Sequence, residues 1–481
     1  GHAARSLRTY FDAMMTWKSR EDCPGYGSMT VIDIMSYTLP RREFAAYFDS
    51  GLARRMADYA MIITDNLGNL AGFGDYSALT GSAHFPDPMS VLAWYYRDGR
   101  YVWMREKMND VAAGAEFLGQ SYQIAGIEPV EPTDLLGVQV LPLEEWIWAH
   151  RDNVLTTGVA RTDELLRAGE DPERAACFDK ISFRAGFDPQ DEYLLLGGQS
   201  HGYHSHPDGN AIISLTAQGR QWLFDNGYFV PDTIEHNTVA VFRDGLFEPV
   251  PRLTGIEARA DLPTVGITRT GVRAYNGMDW ARAIIWLQGD YFLVLDELTA
   301  RVDGDFGLQC IFRVLGEPEL SADRVLVRAG GKRFALMTDG LPTWERRDVT
   351  PEAAGRYGLF ENQDAQLQAG ASLRFANLLY CPTGAEDFPY EIARSETGAT
   401  LIQGPDGLTC AGMGVLDEPG LPRVDAAAYH LAPARIALAA ARSLAWPRTQ
   451  TIFSAEPPVA LELDLAAGAG ALVAETAATV R

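Results

Sequence analysis

Through roughly the first 160 positions, apolar residues fall at helical spacing. Leu7, Tyr10, Phe11, Met14 and Met15 recur every three or four positions, as do Met29, Ile32, Ile34 and Met35, and then Leu52, Met56, Tyr59 and Ile63. Pro24-Gly25, Leu39-Pro40 and Gly68-Asn69 divide this stretch into hairpin-like helix pairs. Further helices are expected over 88–108 and 143–153, with an aromatic load (Trp94, Tyr95, Tyr96, Tyr101, Trp103, Trp146, Trp148) that reads first as packing and second as a sugar platform. A polar stretch over 162–174 suits a connection between domains. Beyond it the period becomes two: 211–215 and 221–224 flank a turn at Gly219, 283–287 and 291–295 flank Gln288-Gly289-Asp290, and 325–327 and 334–337 flank Ala329-Gly330-Gly331. Helices first and short hairpins afterwards predict an α+β multidomain chain, with a helical part over 1–165, an antiparallel β-sandwich over 175–400 and a continuing β-sheet over 401–481.

Composition narrows the function classes. With 481 residues, 47% hydrophobic and 22% charged, the chain can bury more than one core, so ~2 or 3 domains are expected. A formal charge of -23 disfavours nucleic acid and anionic membrane surfaces. No apolar run approaches the ~20 residues of a membrane span, so a periplasmic or cytoplasmic bacterial protein is expected rather than a membrane one. Five scattered cysteines without CxxC spacing indicate neither a disulfide framework nor a cysteine zinc site, and are expected as buried free thiols. The start at Gly1-His2, without Met, suggests a processed form or a fragment.

Histidine placement supplies the first chemistry. Four of the eight (His201, His204, His206, His236) fall close together at the start of the β region. In an extended segment His204 and His206 point the same way. Asp225, at the end of the next hairpin, and His236, at the start of another strand, complete an imidazole–carboxylate–imidazole set suited to Zn2+ with an open fourth position; hydrogen-bonded surface histidines are the alternative. Glu21-Asp22-Cys23-Pro24-Gly25-Tyr26 opens a helix and offers a phenol as acid or base, or an ordinary packing tyrosine. Gly72-Phe73-Gly74-Asp75-Tyr76-Ser77 is glycine-rich but has no preceding strand and no GK[ST] ending, so it is not a phosphate loop. Arg41, Arg42, Arg54, Arg55, Arg243 and Arg282 could reach a cleft, but read first as solvated or ion-paired surface.

Taken together these residues resemble the heparinase II/III-like polysaccharide lyases, in which an (α/α) toroid precedes an antiparallel β-sandwich. His204 to Asn210 resembles the family's His-x-His-x-Asp-x-Asn strand, Asp225 to Tyr228 its Asp-x-Gly-Tyr, and His236 to Val239 its His-Asn-Thr-Val; Glu21 to Tyr26 and Phe73 to Ser77 match two toroid signatures more loosely. The resemblance implies that Tyr26 is the catalytic tyrosine, that His204 lines the active site, that Glu21, Asp75 and Tyr228 contact substrate, and that His206, Asp225 and His236 bind a structural zinc. It also implies a catalytic histidine on an upstream helix. Either His2 is that residue, with a shortened connection to Tyr26, or it is a tag remnant and the toroid is incomplete at the N-terminus.

The implied reaction is β-elimination on a uronate-containing poly- or oligosaccharide of the alginate or heparinoid type: loss of the C5 proton, departure of the C4 oxygen and an unsaturated product. The base and acid must lie within hydrogen-bond reach, and the carboxylate beside C5 must be neutralised. Tyr26 would be base, acid or both; His204, and His2 if native, would neutralise the carboxylate or supply a second base. A uronyl C5-epimerase shares the first step, and a non-catalytic carbohydrate-binding fragment is the reading outside enzymes; a metal-dependent hydrolase is weaker, because no Glu stands beside a His pair as in HExxH. A homodimer, or a partner supplying a missing toroid segment, is compatible with the chain. The acidic balance suggests short-range pairing to one or a few uronates at a chain end, hence exolytic cleavage.

Overall fold

The computed structural model describes residues 2, 5–6, 16–18, 22–24, 44–75, 86–108, 116–117, 120–121, 124–149, 169–200, 206–225, 232–340, 343–348, 355–384, 386–446, 451–474 and 479–480. By internal contacts the chain divides into two compact units: Gly1–Arg167 with Asp179–Asp208 and Ile212–His236, and Ala168–Phe178 with Gly209–Ala211 and Asn237–Arg481.

In the first unit, the helix Leu52–Ile63 buries Met56, Tyr59 and Ile63 of the face its spacing predicts, leaves Leu52 half-buried, and extends the burial to Ala53, Ala57, Ala60, Met61 and Ile62. The helix expected over 88–108 is two, Pro86–Tyr96 and Gly99–Lys107. The break has local causes. Arg97 adopts a positive φ of 52°, and the Asp98 carboxylate caps the second helix by accepting from the Arg100 amide. Gly99 is required there, since a Cβ would lie 2.0 Å from the Glu128 carbonyl oxygen. The aromatic residues of this region serve packing: Tyr101 is buried, and Trp94, Tyr95, Tyr96 and Trp103 pack against the apolar core.

The same unit contains the strands Gly137–Pro142, Phe178–Arg184, Tyr193–Gly197, Ile212–Ala217 and Arg220–Phe224, adjacent in that order. The last two form the hairpin expected around Gly219, with Ser214 opposite Phe224 and Ala217 opposite Arg220. Strands Phe178–Arg184 and Tyr193–Gly197 are buried along their whole length, as a sheet covered on both faces requires. Arg184 reaches the C-terminal end of the helix Leu52–Ile63, donating to the carbonyls of Thr64 (2.5 Å) and Ile62 (3.4 Å) and to Asn66 Oδ1 (2.5 Å), while Tyr193 Oη donates to the Ile62 carbonyl at 2.9 Å. A buried cation thus satisfies carbonyls that a helix end leaves without partners.

The second unit is antiparallel β-structure. One sheet runs in the spatial order Gly255–Asp261, Val265–Tyr275, Met278–Leu287, Tyr291–Ala300, Ser372–Tyr380, Lys332–Thr338, Arg324–Ala329, Glu317–Leu320. It includes the hairpins expected around Gly289 and Gly330-Gly331. A second group pairs Gly304–Leu315 with Val239–Arg243 and with Arg356–Leu367, which in turn pairs with Thr343–Asp348. The C-terminal sheet runs Glu391–Arg394, Thr400–Gly404, Gly407–Leu416, Arg423–Ala432, Arg435–Ala445, Thr451–Asp464, Ala469–Val473. Ile267, Ile285 and Leu293 share one core with Ala411, Ala428, Ala437 and Ala439, where small residues on one sheet admit large ones from the other. Arg282, expected at the surface, is 1% exposed: it pairs with Asp296 (2.8 Å) and donates to the carbonyls of Asn210 (2.7 Å) and Asn237 (3.2 Å). Four cysteines are buried, Cys381 is half-buried, and all five are free thiols. Among the described residues no helix is long and apolar enough to cross a membrane.

Candidate functional site

In the first unit the chain from His206 to Asp208, the end of strand Arg220–Phe224 and the turn Thr233–Glu235 with His236 bring four titratable side chains together. His206, Asp208, Asp225 and His236 are each at most 4% exposed. Thr233 Oγ1 donates to the Pro207 carbonyl at 2.9 Å, and the Asp208 amide donates to Ser200 Oγ at 3.0 Å, so both segments are tied down next to the side chains they present. Asn210 takes a positive φ of 61°, the left-handed turn that ends the segment before strand Ile212–Ala217 begins.

Donor atoms of Asp208, Asp225 and His236 all lie within 4.8 Å of one another. His236 Nδ1 is hydrogen-bonded to Asp225 Oδ1. The His206 ring lies 5.4 Å from that of His236, centroid to centroid; its Nε2 is 2.9 Å from Asp75 Oδ1, and its buried Nδ1 has no hydrogen-bond partner among the described residues. Burial pushes the Asp208 carboxyl up to about 7, the Asp225 and Asp22 charges adding to it and His236 and His206 opposing it.

Of the ligand set expected from the sequence, Asp225 and His236 stand in this cluster, and the third closely placed donor is Asp208 rather than His206. Asp208 was visible only as part of the His-x-His-x-Asp-x-Asn strand, and nothing in the spacing marked it as a ligand. The donor set, one imidazole nitrogen with carboxylate oxygens, is of a kind that holds a divalent cation. Asp75, expected to contact substrate, is partly exposed and orients His206. Tyr26, His204, Glu21 and Tyr228 lie outside the described residues. His2 is exposed, and its carbonyl accepts from Ser6 Oγ at 3.1 Å.

A second buried cluster was not foreseen. Lys18 Nζ contacts Asp22 (2.9 Å) and Asp179 (2.5 Å), Lys180 Nζ contacts Asp179 (2.8 Å) and Asp22 (3.3 Å), and Gln199 Nε2 donates to Asp22 at 3.3 Å. All four ionic side chains are at most 3% exposed. Two cations balance two anions, so burial, which opposes every charge here, is outweighed: Lys18 and Lys180 hold Asp179 below its usual range, and Asp179 and Asp22 hold Lys180 protonated. The Lys180 ammonium also sits 4.3 Å from the centre of the Phe73 ring, two residues before Asp75. Asp22 and Cys23, both buried, precede Tyr26 by four and three residues.

Helices followed by large antiparallel sheets also describe several solved structures. A heparan sulfate lyase from Pedobacter heparinus shares 13% identity at a TM-score of 0.57, over 84% of this chain and 60% of that one. A heparinase III gene product gives 13% and 0.60 over the same shares, and another heparinase III gives 12% and 0.54 over 79% and 57%. The chain has the heparinase III fold. It spans about 60% of the length of these lyases. No protein-family model matches it, and no curated protein does.

Proposed function

We propose that the protein is a polysaccharide lyase that cleaves uronate-containing oligosaccharides by β-elimination. The observation that carries this reading is the convergence of Asp208, Asp225 and His236, with His206 beside them, in a chain with the heparinase III fold. Three separate motifs of the sequence resemblance supply those residues.

In this reading His206, Asp208, Asp225 and His236 hold Zn2+. Bound there, the ion supplies charge neutralisation that fixes the three segments; it is assigned to architecture. Asp75 orients His206. The Lys18–Asp22–Asp179–Lys180 cluster anchors the chain just ahead of Tyr26, and Tyr26 removes the C5 proton, protonates the leaving oxygen, or does both. His204, with His2 or an equivalent group, neutralises the uronate carboxylate so that charge developing at C5 is stabilised. Glu21 and Tyr228 contact the sugar. The net charge of -23 favours short-range pairing to one or a few uronates at a chain end, and so an exolytic mode, over a broad basic track.

The test is a panel of uronate oligomers assayed for the ultraviolet absorbance of an unsaturated uronate, using the full chain and its Tyr26→Phe variant. The reading expects absorbance with the parent and a loss of about 100-fold or more in the variant. Absence of absorbance across the panel, or undiminished activity in Tyr26→Phe, refutes it. Deuterium uptake at C5 without cleavage identifies an epimerase instead, and binding without product identifies a carbohydrate-binding protein.

A further inference from the structure

The second unit contains a cavity of about 570 Å³ that the proposed chemistry leaves unused. Its walls come from the turn before strand Tyr291–Ala300, from Tyr390, from the hairpin joining Thr400–Gly404 to Gly407–Leu416, and from the turn joining Arg423–Ala432 to Arg435–Ala445. Two aromatic rings line it, Tyr291 and Tyr390, edge to face with centroids 5.7 Å apart. The Tyr390 hydroxyl is committed to Asp290, and Tyr291 Oη lies 2.7 Å from His430 Nε2. His430 is fully buried and lines the cavity, and its Nδ1 has no hydrogen-bond partner among the described residues. Burial, reinforced by Arg435 and opposed by a hydrogen bond to its own backbone, pushes this imidazole down to about 4, so the ring is neutral near pH 7.

A buried polar atom left without a partner is costly unless something else satisfies it. Arg435 lines the cavity too, but is paired with Glu462 at 3.2 Å. Asp406 stands exposed at the hairpin tip, and Asp290 faces the same space. The cavity therefore combines a lining of two largely buried tyrosines with carboxylate acceptors and a guanidinium donor, which together meet hydroxyls that both donate and accept. Its two carboxylates against one already paired arginine disfavour an anionic ligand.

We infer that this cavity binds a single neutral pyranose unit and excludes uronates, a carbohydrate site separate from the cluster of the first unit. The inference does not rest on the lyase reading, because it requires binding and no turnover.

The experiment is calorimetric or saturation-transfer titration of the full chain with methyl β-glucopyranoside and, separately, with methyl β-glucuronide. The neutral glycoside is expected to saturate with a dissociation constant on the order of 1 mM, and the glucuronide to bind about 10-fold more weakly or less. Asp406→Asn, at an exposed turn, is expected to weaken the neutral glycoside about 5-fold without moving the melting temperature. Tyr26→Phe is expected to leave the neutral glycoside's affinity unchanged, which distinguishes this site from failure of the lyase reading. No saturation by about 100 mM, equal or tighter binding of the glucuronide, unaltered affinity in Asp406→Asn, or lost affinity in Tyr26→Phe overturns the assignment.

Discussion

Glu361→Gln is expected to make the protein more stable, and increasingly so as pH rises. Glu361 is fully buried on strand Arg356–Leu367, where Oε1 accepts from Thr338 Oγ1 at 2.8 Å and Oε2 from Asn377 Nδ2 at 2.9 Å. Burial raises its carboxyl from the ordinary 4.5 to about 7; Asn377 and Thr338 oppose the rise, while Asp339 and Asp296 add to it. Between those two values the folded chain holds a proton that the unfolded chain has released, so stability falls as pH rises through this window and levels off above it. At about 1.4 kcal/mol per pH unit, the full difference is ~3 kcal/mol of destabilisation in the parent. Glutamine cannot ionise and keeps the shape: its oxygen accepts from Asn377 and its amide donates to a rotated Thr338 hydroxyl. Urea titrations followed by the fluorescence of the buried Trp280 and Trp286 in the same unit provide the assay. The advantage of the variant over the parent should grow by ~2 kcal/mol between about pH 5.5 and about pH 8. An equal difference at both pH values, or a variant less stable at the higher one, refutes the assigned shift.

Other predictions concern the first unit. Lys180→Met leaves Asp22 and Asp179 sharing one cation and should cost about 3–5 kcal/mol, read as a lower urea midpoint; an unchanged midpoint would show that the cluster is not buried as described. The purified protein should carry about one Zn2+ per chain by elemental analysis, His236→Ala should lose it, and a chelator should remove up to ~4 kcal/mol of stability for ions bound with free metal about 1,000-fold above the dissociation constant. A full complement of metal in His236→Ala would move the site elsewhere. Affinity for uronate oligomers should fall only weakly with added salt, whereas a steep, many-charge slope would indicate the basic track that the proposed end-binding mode lacks.

Local pattern carried far in the hairpins. Within 211–224 and 283–295 short apolar-rich runs flank glycine turns, and the structure pairs them as adjacent antiparallel strands because a short turn leaves the two runs little choice of partner. The helical region was legible at coarser grain: periodicity gave Leu52–Ile63 but not the break at Arg97-Asp98, which depends on a side-chain cap and on the Glu128 carbonyl approaching Gly99. Arg282 misled for a related reason. A lone arginine in a strand resembles a surface residue until Asp296, fourteen positions away, is brought beside it.

At the candidate site the sequence by itself determined which chemical groups were available: two histidines, a carboxylate and their order along three motifs, because residue type and spacing survive without coordinates. Only the tertiary structure decided that Asp208 joins Asp225 and His236 while His206 turns one nitrogen to Asp75, and that Lys18 and Lys180 share two buried carboxylates. Those choices depend on distances between segments far apart in the chain, and on the loss of water around charges, which makes an unpaired buried charge costly and favours partners that no local pattern names.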